Sequence, residues 1–259
     1  MAGISAVIIA YNEEKYIGRC LASLQGIADE IIVVDSHSTD STEKVCSEHN
    51  VRFFIHAFEG YVEQKNYALS LASNDMVLSI DADEALTDEL KKSILEVKDN
   101  PLFDGYVFNR FQNYCGKWLR HSRSYPDRQL RLFNRTKGRW EGPNPHDKFR
   151  LKSGARIKWL KGDLLHWNFA NIEEHIDKMN RFSTIAANEY FKAGRKAGPF
   201  KGTAHMVWSF VRSYILRAGF LDGHMGYISC SITAYSSLMK YAKLRRLVRE
   251  AKKSAKSSR

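Results

Sequence analysis

The run Ser79-Ile80-Asp81-Ala82-Asp83-Glu84 directly follows the short apolar segment Met76-Val77-Leu78. The apolar segment predicts a buried strand that ends by placing three carboxylates in a loop. Because ligands of open α/β sheets bind beyond the carboxyl ends of the strands, Asp81 and Asp83 are expected at a ligand site. Carboxylate oxygens suit Mg²⁺ or Mn²⁺, and these ions also bind phosphate oxygens. The run therefore indicates a metal site and a phosphorylated substrate; the alternative is an ordinary acidic, solvated loop.

Strand and helix patterns alternate on both sides of this run. Apolar runs predict strands at residues 4–10, 30–34, 51–55 and 76–80, and helices are predicted at 13–24, from Asp40, and at 63–71. Such alternation predicts a mostly parallel sheet with helices on both faces. Further strands of a mixed region are predicted between residues 105 and 167, the last two at 155–160 and 164–167. The chain is predicted to be helical from Asn171, as the N-cap, onward. The fold class expected is α/β with a C-terminal helical extension.

Charge is distributed unevenly along the 259 residues, whose net charge is +11. Residues 195–259 hold 14 Lys and Arg against two acids, Asp222 and Glu250, so the remainder of the chain is close to neutral. A chain that is 44% hydrophobic and 27% charged is expected to form an ordered core. The basic end predicts contact with something anionic, or a merely solubilising terminus.

The cysteines and the apolar segments bear on the compartment. Cys20, Cys46, Cys115 and Cys230 have no metal-like spacing, which favours reduced thiols in a cytosolic setting. The N-terminus enters a strand-like run without the pattern of a signal peptide, and no segment is a convincing transmembrane span.

Polar residues follow other predicted strands and helices. The segment Ala10-Tyr11-Asn12-Glu13-Glu14 ends the first strand and predicts either a nucleotide pocket, with Tyr11 packed on the base, or a helix start that favours acids. Asp35 ends the second strand and can accept a hydrogen bond from a nucleobase or belong to an ordinary polar loop. Lys65 and Asn66 lie on the next helix, where Lys65 can contact phosphate or solvent. Each motif alone has two interpretations.

The combination is more specific than its parts. Asp35, then Lys65-Asn66, then Asp81-x-Asp83 resembles the N-terminal half of inverting glycosyltransferases of family 2, which have the GT-A fold. The resemblance implies a nucleoside-diphosphate sugar donor, with a UDP-hexose expected, and Mn²⁺ or Mg²⁺ held by the Asp-x-Asp. It assigns nucleotide-sugar binding to Ala10, Tyr11, Asn12, Glu13, Asp35, Lys65, Asn66 and Asp81.

The second half carries a narrower resemblance. Arg128–Phe133, Pro145–Asp147, Leu165–Trp167 and Tyr214–Gly223 are similar to segments of bacterial lipopolysaccharide core glycosyltransferases of that family. Close members commonly have His-Glu where this chain has His146-Asp147. The resemblance implies a lipid-linked saccharide acceptor and a peripheral position on the cytoplasmic face of the bacterial inner membrane.

Inverting transfer requires a base that takes the proton of the attacking hydroxyl, and a group that stabilises the departing diphosphate. Asp147 is the predicted base, with Glu141 as the alternative. Asp147 could instead be a loop acid paired with Lys148 or Arg150.

The metal set predicted is Asp83, Asp81 and His166. Asp83 is expected to contact the metal directly and Asp81 to support the sugar-nucleotide side. His166 can reach the metal or pack beside Trp167. Arg128 and Arg131 are expected to contact the diphosphate or an anionic acceptor, unless strand alternation makes them part of a solvated face.

The basic end completes a three-part division of the chain. Residues 1–100 are expected to bind the nucleotide sugar, 101–170 to shape the acceptor site, and 171–259 to associate with an anionic membrane surface. Residues 206–217 and 228–247 place apolar side chains beside Lys and Arg, as in interfacial helices. Nucleic acid is not expected as a partner, because no recognition motif is present.

Two other functions remain open on sequence grounds. A phosphatase of the haloacid dehalogenase type also has Asp-x-Asp after a strand, although here Glu84-Ala85 follows the pair. A non-enzymatic protein that binds anionic membranes would depend on residues 195–259 alone.

Overall fold

The computed structural model describes residues 3–122, 124–142 and 147–257. The strands are β1 (Ile4–Ala10), β2 (Glu30–Asp35), β3 (Arg52–Ile55), β4 (Met76–Asp81), β5 (Glu84–Leu86), β6 (Gly105–Tyr114), β7 (Lys117–Leu119), β8 (Asp127–Asn134), β9 (Gly138–Glu141), β10 (Lys148–Leu151) and β11 (Ile157–Phe169). The helices are α1 (Ile17–Leu24), α2 (Thr42–Ser47), α3 (Tyr61–Ser70), α4 (Asp88–Lys98), α5 (Ile172–Lys192), α6 (Lys201–Phe210) and α7 (Gly223–Ser257). A π-helical segment, Val211–Leu216, and two 3₁₀ segments, Arg135–Lys137 and Gly219–Asp222, also occur.

The chain forms two compact units. Unit 1 comprises Met1–Phe111 and Asp127–Trp167, and unit 2 comprises Gln112–Pro126 and Asn168–Arg259. Unit 1 therefore contains the strands and helices in which the Asp-x-Asp run lies, and unit 2 contains the long C-terminal helices.

The sheet begins with four parallel strands. Its order is β3-β2-β1-β4-β8-β6-β11-β5, with β7 paired to β6. Strand β1 is parallel to both β2 and β4, whereas the β4–β8, β6–β8 and β11–β5 pairs are antiparallel. This arrangement confirms the predicted α/β class, with the parallel strands in the first part of the chain.

Strand β1 is buried on both faces. Its residues Ile4, Ala6 and Ile8 join one hydrophobic cluster with helix α1, whereas Val7 joins a second cluster with Phe133. Because successive side chains of a strand point to opposite faces, a strand covered on both sides is largely apolar. Six of the seven residues of β1 are apolar, and the exception, the buried Ser5, donates a hydrogen bond to Glu30 Oε2 at 2.5 Å.

Two helix starts differ from the sequence prediction. Helix α1 begins at Ile17, four residues after the expected Glu13, because Asn12 adopts a left-handed φ of 56° and a turn follows it. Helix α2 has Ser41 as its N-cap in place of the predicted Asp40, whose carboxylate accepts a hydrogen bond from the Thr42 N–H at 3.0 Å.

Two strands also differ from the prediction. The three-residue strand β5 was not predicted, and it pairs with β11. The two short strands expected at 155–160 and 164–167 form the single strand β11. Within it Gly162 has a φ of +90°, and a Cβ there would lie 2.3 Å from the Leu90 nitrogen, so only glycine lets β11 pass the start of α4.

Unit 2 is built on helices. The predicted N-cap of α5 is confirmed: Asn171 Oδ1 accepts a hydrogen bond from the Glu174 N–H at 2.8 Å. A buried cluster of Tyr114, Leu119 and Phe169 forms part of its core. All four cysteines are free thiols. No helix in the described part of the chain is long and apolar enough to cross a membrane.

Candidate active site

Three parallel strands end at one edge of the sheet of unit 1. In the β1–β2 register Ala10 lies opposite Asp35, and in the β1–β4 register Ile9 lies opposite Asp81. Parallel pairing thus brings together the three strand ends that the sequence singled out. The carboxyl edge of such a sheet is where α/β proteins bind ligands.

The loops after β1 and β2 are tied to each other. Asn12 Oδ1 accepts a hydrogen bond from the Thr39 N–H at 2.8 Å, and the Asn12 N–H donates to Ser38 Oγ at 2.8 Å. The Glu13 N–H donates to Thr42 Oγ1 at 2.8 Å. Tyr11 stands out from this pair of loops with 58% of its surface exposed. Its ring is therefore available for stacking against a planar ligand.

Asp35 is buried at the base of these loops, with only 3% of its surface exposed. It accepts hydrogen bonds from the Ser38 N–H at 2.7 Å and from Ser38 Oγ at 2.5 Å. A carboxylate has about four acceptor positions, so two remain for a ligand donor.

The carboxylate of Asp81 belongs to a buried ion-pair network. Arg131 Nη2 donates to Asp81 Oδ2 at 2.7 Å and to Glu84 Oε1 at 3.0 Å. Glu84 also accepts from the Asp81 N–H at 2.9 Å and from Arg110 at 3.4 Å, and Arg110 in turn pairs with Asp127 at 2.8 Å. The network fixes the conformation of the Asp-x-Asp loop.

The two carboxylates of this network are shifted in opposite directions. Burial opposes ionisation of Asp81, but Arg131 and Lys65 outweigh it and hold the pKa of Asp81 well below its usual range. Burial raises the pKa of Glu84, and the adjacent Asp81 charge adds to the rise, although Arg131 counteracts it. Asp81 is therefore the firmly ionised member of the pair.

Lys65 joins Asp81 to the predicted base. Its Nζ lies 2.9 Å from Asp147 Oδ2 and 3.4 Å from Asp81 Oδ1, and it sits 4.4 Å from the centre of the Trp140 ring. The side chains of Lys65 and Asp147 are 10% and 8% exposed. The structure thus brings Asp147, Lys65 and Asp81 into one cluster although 82 residues separate Lys65 from Asp147.

Asp83 faces His166. His166 Nε2 lies 3.2 Å from Asp83 Oδ2, and the Trp167 N–H donates to the Asp83 carbonyl at 3.0 Å. Within the described residues His166 Nδ1 is buried without a hydrogen-bond partner. Carboxylate oxygen and imidazole nitrogen are donors that Mn²⁺ accepts, so this pair fits a divalent cation.

The protein alone does not form a complete cation cage. Among residues 3–122, 124–142 and 147–257, no three His, Cys, Asp or Glu side chains form a group that could hold a metal ion. Mg²⁺ typically takes one or two carboxylates from the protein, with the other ligands from substrate phosphates and water. A site of two protein ligands agrees with that pattern.

Three predicted residues lie apart from this cluster. Asn66 is engaged with strand β9, since its amide donates to the Trp140 carbonyl and accepts from the Trp140 N–H, both at 3.0 Å. Arg128 is exposed on β8. Glu141, the alternative base, pairs with Arg139 at 2.5 Å and approaches Arg150 at 3.9 Å. His146 of the predicted His-Asp motif lies outside the described residues.

The sequence interpretation missed the structural importance of Arg131 and Glu84. Arg131 was expected to contact the diphosphate or an anionic acceptor, or to lie on a solvated face, and Glu84 had no assigned role. In the structure these two residues are 3% and 1% exposed. A usable signal existed, because Arg131 stands between Leu130 and Leu132 in a strand that pairs with β4. A charged residue in such a buried strand requires an internal partner.

Comparison with known proteins identifies the family. The model of glycosyl transferase family 2 matches residues 5–162. An uncharacterised glycosyltransferase of Rickettsia typhi is 31% identical over 95% of this chain and 88% of its own length. The lipopolysaccharide core biosynthesis glycosyltransferase LpsC of Rhizobium meliloti is 30% identical over 93% of this chain and 91% of its own.

A solved structure of S. aureus TarS 1-349 is similar at 17% identity and a TM-score of 0.47, covering 96% of this chain and 92% of that one. The family assignment rests on the sequence matches, and it sets aside the phosphatase and the purely membrane-binding alternatives. The chain therefore belongs to glycosyl transferase family 2, with the GT-A type of α/β fold, and is a glycosyltransferase.

Proposed function

We propose that this enzyme transfers a hexose, with inversion, from a nucleoside-diphosphate sugar to a lipid-linked saccharide, and that UDP is the nucleotide. The observation that carries the proposal is the position of Lys65, whose Nζ contacts both Asp81 and Asp147. Lys65 thus lies between the Asp-x-Asp loop, proposed to bind the diphosphate, and Asp147, the candidate base. Inverting transfer needs both functions at one site.

The nucleotide would occupy the paired loops after β1 and β2. Exposed Tyr11 provides a stacking surface, and buried Asp35 retains acceptor positions for a base N–H. Ala10, Asn12 and Glu13 shape this pocket through their backbone and the loop contacts of Asn12. We assign Arg128 to the diphosphate or to an anionic acceptor.

Asp83 and His166 would hold Mn²⁺ or Mg²⁺. When bound, the cation neutralises the charge that develops on the departing diphosphate. Asp81 already forms ion pairs with Arg131 and Lys65, so its part is to orient the loop beside the cation. Asp83 then remains as the carboxylate of the Asp-x-Asp pair that faces the metal.

Asp147 is the proposed base. Its carboxylate is paired with Lys65 at 2.9 Å. A donor diphosphate competes for the Lys65 ammonium, and that competition frees Asp147 to accept the proton of the acceptor hydroxyl. Glu141 is less suited, because it is bound to an arginine of its own hairpin.

The acceptor is inferred from a relative. LpsC of Rhizobium meliloti is named for lipopolysaccharide core biosynthesis, and it matches this chain over most of both lengths. We propose a lipopolysaccharide or lipooligosaccharide core saccharide as acceptor, with the enzyme peripheral to the cytoplasmic face of the inner membrane. Residues 1–100 would bind the donor, 101–170 the acceptor, and 171–259 the anionic surface.

Donor binding tests the proposal. A panel of nucleoside-diphosphate sugars should raise the melting temperature of the protein for one nucleotide, and more strongly with Mn²⁺ than without it. Asp83→Asn should abolish the Mn²⁺-dependent part, whereas Asp88→Asn, which changes a 92% exposed carboxylate, should keep it. If no donor binds, or if Asp83→Asn binds and transfers like the unmodified enzyme, the proposal fails.

A further inference from the structure

Unit 2 exposes a row of large apolar side chains. They lie on the helix formed by α6 and the π-helical segment after it: Phe200, Val207, Trp208, Ile215 and Leu216 are 80%, 52%, 55%, 53% and 65% exposed. Their spacing of seven or eight residues places them on one helix face. Phe220 and Leu221 in the following 3₁₀ segment are also exposed. Contiguous apolar surface of this kind marks an interaction site.

The opposite face of this helix is packed. Gly202 and Ser213 are buried, and a Cβ at Gly202 would lie 3.1 Å from Leu238 Cδ1 of α7. Residues Cys230, Ala234, Tyr241 and Leu244 of α7 are buried as well. The sequence predicted two stretches at a membrane interface, residues 206–217 and 228–247. The first is therefore the exposed one, whereas much of the second packs inside unit 2.

The apolar row lies within an acid-free part of the chain. No Asp or Glu occurs between Glu189 and Asp222, whereas six basic residues do: Lys192, Arg195, Lys196, Lys201, Arg212 and Arg217. A second copy of this chain seated on the same surface would bring like charges together. An anionic partner matches the surface in both charge and polarity.

A basic groove adjoins the row. It has a volume of about 390 Å³ and includes Gly198 and Pro199, which directly precede Phe200. On the α7 side it is lined by Arg245, Arg246, Arg249 and Lys253, with Glu250 beside Arg246 at 3.6 Å. Arg245, Arg249 and Lys253 follow one another at intervals of four along α7, an arrangement in which like charges repel one another. Bound phosphate groups would relieve that repulsion.

We propose that residues 200–221 form a surface that inserts into an anionic lipid bilayer, with the groove of Arg245, Arg249 and Lys253 taking lipid phosphates. Apolar and aromatic side chains flanked by Lys and Arg bind the interface by burying apolar area and by attraction to anionic headgroups. The inference rests on the proposed lipid-linked acceptor for its biological role, but its observations lie wholly within unit 2.

Vesicle binding by the full chain tests the surface. Trp208→Ser should lower partitioning onto mixed phosphatidylcholine–phosphatidylglycerol vesicles at least about tenfold. Trp159→Ser is the matched control, because that indole in unit 1 is 51% exposed and lies outside the surface; it should leave partitioning unchanged. The double variant Arg245→Glu/Arg249→Glu should weaken binding to the anionic vesicles at least about tenfold.

A second measurement does not depend on how the Trp208 variant folds. Brominated lipids should quench tryptophan fluorescence in the unmodified protein, and the absolute loss of intensity should be about the same in Trp159→Ser, because Trp159 lies outside the surface. Three results would overturn the proposed surface. They are an absence of vesicle binding, an equal loss of vesicle partitioning in the Trp208 and Trp159 variants, and a dimer that only Trp208→Ser dissociates. A protein that binds a nucleotide sugar but no vesicles would overturn this surface alone, and one that binds vesicles through Trp208 but no nucleotide sugar would overturn only the proposed donor chemistry.

Discussion

The acidic edge of unit 1 and the basic end of unit 2 handle charge in opposite ways. At the edge, Asp81, Glu84 and Arg131 are ion-paired inside the protein, and Arg131 is 3% exposed. Residues 190–221 of unit 2 contain six basic side chains and no acid, and of the six Lys192 pairs with Glu189 just before this range at 3.1 Å. Internal pairing fixes a geometry, as an active site requires, whereas an excess of one sign at the surface indicates a partner outside the chain.

The largest effect on stability is expected at the buried guanidinium. Arg131→Met leaves the buried Glu84 and the partly exposed Asp81 with fewer counter-charges, so the free energy of unfolding should fall by about 3–5 kcal/mol. Thermal denaturation should show this as a melting temperature lowered by roughly 6–20 °C.

Arg128→Met on the same strand is the control, because Arg128 is exposed. Its unfolding free energy should stay within about 0.5 kcal/mol of the unmodified protein. Equal destabilisation by the two substitutions would contradict the contrast between paired and exposed charges.

A buried histidine should give unit 2 a sensitivity to mild acid. Burial lowers the pKa of His175 from 6.5 to about 4, and Lys178 adds to the shift. Between pH 6.5 and pH 4 the unfolded chain therefore binds more protons than the folded one. The contribution of neutral His175 to the free energy of unfolding is complete above pH 6.5 and is lost as the pH falls towards 4. The loss between pH 7 and pH 5 should be about 2 kcal/mol.

Urea denaturation of the His175→Phe variant measures this effect. Because phenylalanine cannot titrate, the variant should lose the part of the pH dependence that lies between pH 7 and pH 5. The hydrogen bond between Tyr114 and His175 Nδ1 at 2.9 Å is also lost, so the variant is compared with itself at the two pH values. An unchanged slope with pH would show that another group titrates.

A smaller effect on stability is expected at the start of helix α4, where Thr87 is the N-cap. Thr87 Oγ1 accepts from the Leu90 N–H at 3.3 Å and donates to the Asp163 carbonyl at 2.8 Å. Thr87→Ala should lower the unfolding free energy by about 1 kcal/mol in urea titrations, and Thr87→Ser, which keeps the hydroxyl, should recover most of it. Failure of serine to recover stability would assign the loss to the methyl group.

Much of the fold and part of the site could be predicted from local patterns. Apolar runs and helix periodicity predicted the parallel strands. Parallel pairing then places Ala10, Asp35 and Asp81 at the same carboxyl edge of the sheet. The contacts of Lys65 could not be predicted, because its partner Asp147 is 82 residues away and the distance depends on how β9 and β10 are placed. Such long-range proximity leaves no trace in local periodicity.

Glu84 and Arg131 illustrate a second limit. Glu84 was expected in a loop after a strand, without an assigned role, but it opens the short strand β5, whose pairing with β11 buries it. Arg131 reaches Asp81 because antiparallel pairing sets Leu132 opposite Leu78. A register between distant strands decides both positions, and the alternation of residues within one strand does not reveal it.

We propose that Asp147, the acid beside Lys65 and Asp81, is the base of the transfer reaction. Single-turnover transfer from the cognate donor should therefore fall by about 10²–10⁴-fold in Asp147→Asn, while donor binding persists. Glu141→Gln, which removes the charge of the other candidate, should transfer at nearly the unmodified rate. Unimpaired transfer by Asp147→Asn, or a loss that appears only in Glu141→Gln, would contradict the account.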